Sequence, residues 1–158
     1  MEIIILYPND IKTQDLTLFI NLIYNNFIEL TEEDKLMHTK ENIEKNLRAD
    51  NSVIIIAYDK TNNKIAGFLA ANIMELDDRR MVFYISYIYT AEKYRNNGIA
   101  TRLMDVSEQI THNKKCNGIM LIFDTDNKQL YHFYEGRGFM QDINLRRYEK
   151  HDVFYKIL

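Results

Sequence analysis

The sequence predicts an α/β (α+β) protein, in which strands and helices follow one another along the chain and share a core. Two patterns support this class. Short runs of β-branched and aromatic residues recur between polar turns, which is typical of buried strands. Other stretches carry apolar residues at every third or fourth position, which is the spacing of an amphipathic helix. A chain of 158 residues is long enough to bury both kinds of element.

The chain begins with one predicted strand and two predicted helices. Residues 2–7 form a short apolar run before a Pro-Asn-Asp turn, which predicts the first strand. Residues 39–47 predict the second helix, with Thr39 as its N-cap. Residues 28–38 between the helices remain ambiguous. The first helix is predicted from about 12–26, because one face of it carries Leu16, Phe19, Ile20, Ile23 and Phe27.

Three further strands are predicted in the next part of the chain. Residues 53–58 and Lys64–Glu75 flank the polar turn 59–63, which indicates a hairpin. Gly67 marks a bulge or a close approach in the second arm of this hairpin. Met81–Thr90 contains few charged residues, and a strand that is apolar on both faces belongs near the centre of a sheet.

Two helices and three strands are predicted for the rest of the chain. Residues 127–135 predict a helix, and Gly118–Phe123 before it predicts a buried strand. Residues 139–150 and 152–158 predict two closing strands. No repeat or linker interrupts the pattern, so we expect a single domain over residues 1–158. The other helix lies before the Gly118–Phe123 strand and is predicted from an apolar stripe made of Ile99, Leu103, Val106 and Ile110.

Composition excludes several classes of function. The net charge is −3 and the basic residues are scattered, so nucleic acid is a poor partner. The longest apolar runs are too short to span a bilayer, and no membrane partner is expected. A single cysteine cannot form an internal disulfide. Together with the lack of a secretion leader, this predicts a cytoplasmic protein.

Residues 87–104 contain the pattern around which we expect function to be organised. An extended apolar segment gives way to a short polar loop with one glycine, and an amphipathic helix follows. The unpaired N–H groups and the positive end of the dipole at a helix start favour an anion such as a phosphate. The loop reads R-x-x-G-x-A from Arg95 to Ala100, which is neither a Walker motif nor a three-glycine dinucleotide motif.

This hexapeptide resembles the acetyl-CoA-binding motif of the GCN5-related N-acetyltransferase (GNAT) family, Gln/Arg-x-x-Gly-x-Gly/Ala between the fourth strand and the third helix. About thirty residues downstream the chain matches a second pattern of the family, N-x6-Y-x3-G-F. The two motifs occur in the family's order, and the resemblance covers roughly residues 65–158. The second match involves Asn127, Phe133, Tyr134, Gly138 and Phe139.

The resemblance implies a fold and an activity. The fold would be a mixed, mostly antiparallel sheet of about seven strands flanked by about four helices, in the order β-α-α-β-β-β-α-β-α-β-β. The activity would be acetyl-CoA-dependent N-acetyl transfer by direct attack of a primary amine in a ternary complex, without a metal. We expect a small-molecule amine as acceptor, and a homodimer is a reasonable assembly. A non-catalytic acetyl-CoA-binding sensor and a protein or peptide acetyltransferase are the alternatives.

The resemblance also implies cofactor-binding residues. The pyrophosphate would lie on residues 95–101, called the cofactor loop below. Ile88, Tyr89 and Thr90 would pair through their backbone with the pantetheine arm, which enters like an extra strand. Asn127 is expected to cap its helix and to contact the cofactor arm. The cofactor loop consists of Arg95, Asn96, Asn97, Gly98, Ile99, Ala100 and Thr101.

Tyr134 matches the family's usual proton donor for the departing thiolate. A phenol with a pKa near 10 can protonate a thiolate of pKa about 8.5 only when the two are held together. Tyr131 is the rival, and His132 is expected on the surface. Cys116 lies away from both motifs, so no covalent acetyl-enzyme is expected.

The general base and the acceptor site are not identified by the motifs. Many relatives carry a carboxylate on the fourth strand, but Met81–Thr90 has none. Candidates for the base are Glu75, Asp124, or a water chain ordered by Ser86 and Tyr87. An acidic cluster could attract a cationic acceptor or could be a solvated helix end, and it contains Glu29, Glu32, Glu33 and Asp34.

Overall fold

A computed structural model describes residues 1–26, 39–123, 125–143 and 152–158. Within these residues the helices are α1 (Thr13–Asn26), α2 (Lys40–Arg48), α3 (Ile99–Asn113) and α4 (Lys128–Gly136). Short 3-10 helices lie at Pro8–Asp10 and Glu92–Tyr94. The strands are β1 (Glu2–Leu6), β2 (Ser52–Asp59), β3 (Lys64–Glu75), β4 (Met81–Thr90), β5 (Gly118–Phe123), β6 (Met140–Gln141) and β7 (Asp152–Ile157).

The described strands form one mixed sheet in the order β1-β2-β3-β4-β5-β7-β6. The β1–β2, β2–β3, β5–β7 and β6–β7 pairings are antiparallel, whereas β4 and β5 are parallel. β4 is the fourth strand in this order, which confirms that its apolar sequence marks a central strand. The predicted fold class and order of elements are confirmed.

Contacts between backbone positions divide the chain into two compact units. The first comprises Met1–Asn72 and Tyr87–Leu103, and the second comprises Ile73–Ser86 and Met104–Leu158. Strands β3 and β4 and helix α3 each contribute residues to both units. The expectation of a single domain over residues 1–158 stays a prediction.

The core of the first unit joins two helices to three strands. Phe19 of α1 lies 6.3 Å from Phe68 of β3 between ring centroids. Helix α2 begins after Thr39, whose hydroxyl accepts a hydrogen bond from the Asn42 backbone N–H at 3.2 Å, which confirms the predicted N-cap. The buried cluster contains Leu16, Phe19, Ile23, Ile43, Leu47, Ile54, Ile56, Phe68, Ala70 and Tyr87.

The core of the second unit is built on β4, β5 and β7, with Leu76, Val82, Met120 and Val153 buried together. The buried face of α3 is wider than the predicted stripe, because two of its hydroxyl groups are also buried. Ser107 Oγ donates to the Met104 carbonyl and Thr111 Oγ1 to the Ser107 carbonyl, both at 2.7 Å. These local bonds satisfy hydroxyl groups that would otherwise be costly to bury.

One predicted strand is too long. Residues 139–150 were expected to form it, but β6 spans only Met140–Gln141. The chain leaves the strand at Asp142, whose carboxylate pairs with Arg80 Nη2 at 3.1 Å. Residues 144–151 lie outside the described residues, as do the ambiguous segment 28–38 and Phe27 of the predicted α1 stripe. None of the described helices is both long and apolar enough to cross a membrane.

Candidate active site

The end of β4 carries the backbone predicted to bind the pantetheine arm. The parallel ladder between β4 and β5 runs from Val82–Gly118 to Ile85–Leu121, and β4 continues beyond it to Thr90. Ile88, Tyr89 and Thr90 lie on this continuation and are half-buried. A strand that extends past the end of its ladder can accept an extended ligand as an additional strand.

The cofactor loop has the geometry of an anion site. Asn96 and Gly98 have positive φ angles of 64° and 75°, and α3 begins directly afterwards at Ile99. The Gly98 carbonyl accepts the Arg102 N–H at 3.0 Å, so the first helical hydrogen bond starts at Gly98. The first N–H groups of a helix have no partner within it. A Cβ added at Gly98 would meet no described atom within 4 Å, so the loop leaves room for a ligand.

Side chains within the loop fix its shape. Asn97 Nδ2 donates to the carbonyls of Tyr94 and Arg95 at 3.2 and 3.1 Å. Arg95 Nε donates to the Thr90 carbonyl at 3.3 Å, a contact that the sequence did not predict. The guanidinium predicted to reach a phosphate therefore also ties the loop to the end of β4.

A hydrogen bond from outside the motif holds the residue before the loop. The Tyr94 hydroxyl donates to Asp59 Oδ2 at 2.6 Å, and Asp59 ends β2. The bond from Tyr94, together with donors from Asn62 and Thr61, lowers the pKa of Asp59 to about 2. The same bond raises the pKa of Tyr94. Sequence reasoning missed this pair, because the partners are 35 residues apart and no local spacing links them.

Gly67 on β3 lets the backbone of β4 and the start of α3 come close. An added Cβ would lie 2.6 Å from the Tyr89 carbonyl oxygen and 2.8 Å from Ile99 Cγ2. The β2–β3 register also shifts between Ala57 and Tyr58, opposite Gly67 and Ile65. Both alternatives predicted for Gly67, a bulge and a close approach, are therefore confirmed.

Tyr134, the predicted proton donor, lies on α4 in the second unit and is 4% exposed. Its ring contacts Phe123, Phe133 and Phe139 at centroid distances of 4.9, 5.2 and 5.6 Å. Burial raises the pKa of Tyr134 to about 12. The phenol is consequently protonated at neutral pH, as a general acid must be before the reaction.

The neighbours of Tyr134 on α4 have different environments. Asn127 caps the helix, because its side chain accepts the Leu130 N–H at 3.2 Å, as predicted. Tyr131 is half-buried, and its pKa is raised chiefly by a hydrogen bond to Glu135. His132 is exposed, in agreement with the prediction.

The other candidate residues that the structure describes differ in their burial. Glu75 is exposed at the end of β3, Ser86 is half-buried and Tyr87 is 3% exposed. Burial raises the pKa of the Cys116 thiol, which makes it a poor nucleophile. Asp124 and the acidic cluster of Glu29, Glu32, Glu33 and Asp34 lie outside the described residues. In the part of the chain that is described, no group of three His, Cys, Asp or Glu residues could hold a metal ion.

The structure thus brings together the cofactor loop and its neighbours in the first unit. The loop residues from Arg95 to Thr101, the end of β4 and the β2–β3 hairpin share hydrogen bonds or close backbone contacts there. Asn127 and Tyr134 lie on α4 in the second unit.

Two curated relatives of this chain carry the same name, N-alpha-acetyltransferase 30. The chain is 35% identical over 65 residues to N-alpha-acetyltransferase 30 of Schizosaccharomyces pombe, covering 41% of this chain and 43% of the relative. It is 31% identical over 81 residues to N-alpha-acetyltransferase 30 of Saccharomyces cerevisiae, covering 50% of this chain and 46% of the relative. The chain therefore spans less than half the length of these curated relatives.

Solved structures share the fold. A crystal structure of the NatC complex bound to Gag peptide and CoA matches with a TM-score of 0.74 and 19% identity, over 100% of this chain and 99% of the matched chain. At this level of identity the likeness supports the fold, and the predicted GNAT-like order of strands and helices is confirmed by it.

The prediction of a small-molecule acceptor is wrong. The two curated relatives are named N-alpha-acetyltransferase 30, and the NatC complex is bound to both a Gag peptide and CoA. The physical reason for the error is that both sequence motifs concern the acetyl-CoA side of the reaction. In this family the acceptor is expected to be selected by the segment between the first two strands and by the last hairpin, and neither carries a pattern that identifies an amine.

The family itself follows from a match over most of the chain. The sequence profile of the Acetyltransferase (GNAT) family matches residues 20–139, which include the cofactor loop, Asn127 and Tyr134. This match confirms the resemblance and the predicted enzyme class of acyltransferase. The NatC structure contains CoA, in agreement with the predicted cosubstrate, acetyl-CoA. The chain belongs to the Acetyltransferase (GNAT) family.

Proposed function

We propose that this protein is an N-acetyltransferase that transfers the acetyl group of acetyl-CoA to the α-amino group of a peptide or protein. The observation that supports acetyl-CoA as the acetyl donor is the cofactor loop, where an open loop with a positive φ at Gly98 leads directly into α3. The peptide half is supported by the two relatives named N-alpha-acetyltransferase 30.

The chain's own residues would bind acetyl-CoA through backbone groups. The N–H groups of residues 96–101 would hold the pyrophosphate, and the Thr101 hydroxyl, which is exposed, would add a bond. Ile88, Tyr89 and Thr90 would pair with the pantetheine arm along the continuation of β4. Acetyl-CoA would supply a thioester, and main-chain amides of β4 would polarise its carbonyl.

Tyr134 would protonate the departing thiolate in this proposal. The support is its position in the N-x6-Y-x3-G-F motif and its protonated state, since its pKa lies near 12. A donor so much weaker than the thiol works only when proton transfer is coupled to departure of the thiolate. No side chain is assigned as the base, because β4 carries no carboxylate.

The test is release of free thiol from acetyl-CoA by the purified protein with synthetic peptides as acceptors. We expect release with peptides whose α-amine is free, and none with the same peptides blocked at the N-terminus but carrying a free lysine. Release with a small diamine alone would contradict the peptide half of the proposal. Binding of CoA by calorimetry without thiol release from any acceptor would favour the sensor.

The proton donor is tested in the same assay with matched tyrosine variants. Tyr134→Phe should lower kcat by about a hundredfold, as expected for the loss of a general acid. Tyr131→Phe, one helical turn away, should lower it less than about threefold. Equal effects of the two substitutions would remove the assignment of Tyr134.

A further inference from the structure

Asp59 lies outside both sequence motifs, yet it contacts the residue that precedes the cofactor loop. Its Oδ2 accepts the Tyr94 hydroxyl at 2.6 Å, a short distance typical of a hydrogen bond to an ionised carboxylate. Both side chains are half-buried, so water competes less for this bond than at an exposed surface. Such a bond is worth more than a neutral one.

The carboxylate of Asp59 is itself held in a fixed orientation. Its Oδ1 accepts the backbone N–H groups of Thr61 and Asn62 at 3.0 and 3.3 Å, and its Oδ2 accepts Asn62 Nδ2 at 2.7 Å. These donors belong to the turn that joins β2 to β3. The Tyr94 hydroxyl therefore meets an acceptor whose position is set by the hairpin.

A second contact from the same hairpin holds the other end of the short segment before the loop. The Ala91 N–H donates to the Ala66 carbonyl of β3 at 2.8 Å. The segment from Ala91 to Tyr94 thus rests on the hairpin at both of its ends. Its internal 3-10 turn, in which the Tyr94 N–H donates to the Ala91 carbonyl at 2.8 Å, links the two.

The hydrogen bonds continue from Tyr94 into the loop. The Tyr94 carbonyl accepts Asn97 Nδ2 at 3.2 Å, and Asn97 directly precedes Gly98, from which α3 starts. A chain of contacts therefore runs from Asp59 through Tyr94 and Asn97 to the first N–H groups of α3. A displacement of the tyrosine would be passed to the groups that are to bind the pyrophosphate.

We propose that Asp59 is a positioning residue for acetyl-CoA, which fixes the cofactor loop by accepting the Tyr94 hydroxyl. The proposal rests on the function proposed above, in which residues 95–101 bind the pyrophosphate. It predicts that loss of the Asp59–Tyr94 bond weakens cofactor binding and leaves the chemical step and acceptor binding unchanged.

The experiment uses Asp59→Asn, Tyr94→Phe and the double variant. The asparagine retains an oxygen for the N–H groups of the turn, and the phenylalanine retains the ring. In each single variant the KM for acetyl-CoA and the calorimetric Kd of CoA should rise about fivefold to tenfold, as expected for a lost hydrogen bond of about 1 to 1.4 kcal/mol. The acceptor KM and kcat should change less than about twofold. The double variant should bind CoA as tightly as either single variant, because all three lose the same hydrogen bond from the Tyr94 hydroxyl to the ionised Asp59 carboxylate.

Tyr58→Phe is the matched control, since Tyr58 is on the same hairpin and its hydroxyl bonds to the Asn63 side chain. It should leave the affinity for CoA unchanged. If the wild-type protein binds CoA and Asp59→Asn binds it equally well, the positioning role is wrong while the proposed function stands. A rise in both substrate KM values with a lower melting temperature would show a merely structural role. Failure of the wild-type protein to bind CoA would overturn both proposals.

Discussion

Gly67 shows how the absence of a single side chain shapes the cofactor site. The residue lies on β3, far from the loop in sequence, and a Cβ there would overlap the Tyr89 carbonyl oxygen at 2.6 Å. Gly98 differs, because an added Cβ there would stand in open space and only its φ of 75° disfavours other residues. One glycine permits close packing, and the other permits a turn.

Substitution of Gly67 by alanine should weaken cofactor binding. The clash is with backbone oxygen and with Ile99, so the end of β4 and the start of α3 must shift, and overpacking of this kind costs about 1 to 3 kcal/mol. We expect the Kd of CoA to rise about tenfold, measured by calorimetry. Gly136→Ala at the end of α4 is the control, because nothing lies within 4 Å of its added Cβ. Equal affinities of wild type and Gly67→Ala would contradict the role of the close approach.

At the scale of elements, an ion-pair network joins α3, the end of α4 and β7 within the second unit. Glu108 Oε1 accepts Lys156 Nζ at 2.5 Å and Arg137 Nη2 at 3.3 Å, while Asp105 Oδ1 accepts the same Arg137 nitrogen at 2.7 Å. Arg137 is the C-cap residue of α4, and its Nε is buried without a partner among the described residues. The network therefore fixes the end of the helix that carries Tyr134.

The two acids of this network should differ in their contribution to stability. Glu108 is 22% exposed and Asp105 is 58% exposed. Glu108→Ala should lower the free energy of unfolding by about 1 to 3 kcal/mol, because the partly buried Lys156 loses its Glu108 acceptor and Arg137 keeps only the exposed Asp105. Asp105→Ala should cost less than about 1 kcal/mol, as for an exposed ion pair. Urea unfolding measures both, and equal costs would show that the burial of Glu108 is unimportant.

At the scale of the whole molecule, one parallel pairing explains where the cofactor loop lies. β4 and β5 run in parallel, so the chain has to cross over from the end of one to the start of the other. That crossover consists of the segment from Ala91, the cofactor loop and α3. The loop thus follows β4 directly, and the start of α3 stands at the end of a central strand.

The pH dependence of stability is a property of the whole molecule to which Tyr134 should contribute measurably. Its folded pKa of about 12 lies above the ordinary value of 10, so its contribution is fully present below pH 10 and is lost as the pH rises to 12. At 1.36 kcal/mol per pKa unit, the contribution of Tyr134 to the free energy of unfolding is at most about 2 to 3 kcal/mol. Between pH 9 and pH 12, wild type should lose that much more unfolding free energy than Tyr134→Phe. Parallel pH profiles of the two proteins would contradict the burial of an un-ionised phenol.

The sequence by itself determined the family, the order of the elements and the two motifs. These depend on local information, namely hydrophobic periodicity, turn residues and the spacing of Gly98, Asn127 and Tyr134. The N-caps Thr39 and Asn127 were predictable for the same reason, because a cap and its helix are adjacent in sequence. The acceptor was predicted wrongly, because neither of the two sequence motifs contains residues that identify the acceptor.

Only the tertiary structure decided which distant residues support the cofactor loop. The Asp59–Tyr94 bond, the contact of Ala66 with Ala91 and the approach of Gly67 to Tyr89 all join segments that are far apart in the chain. Such pairs depend on strand register and on the β2–β3 bulge. Hydrophobic patterning shows which alternate residues face the core, but it does not distinguish registers that differ by two residues. The burial that raises the pKa of Tyr134 likewise depends on Phe123 of β5, which packs against it together with the motif residue Phe139.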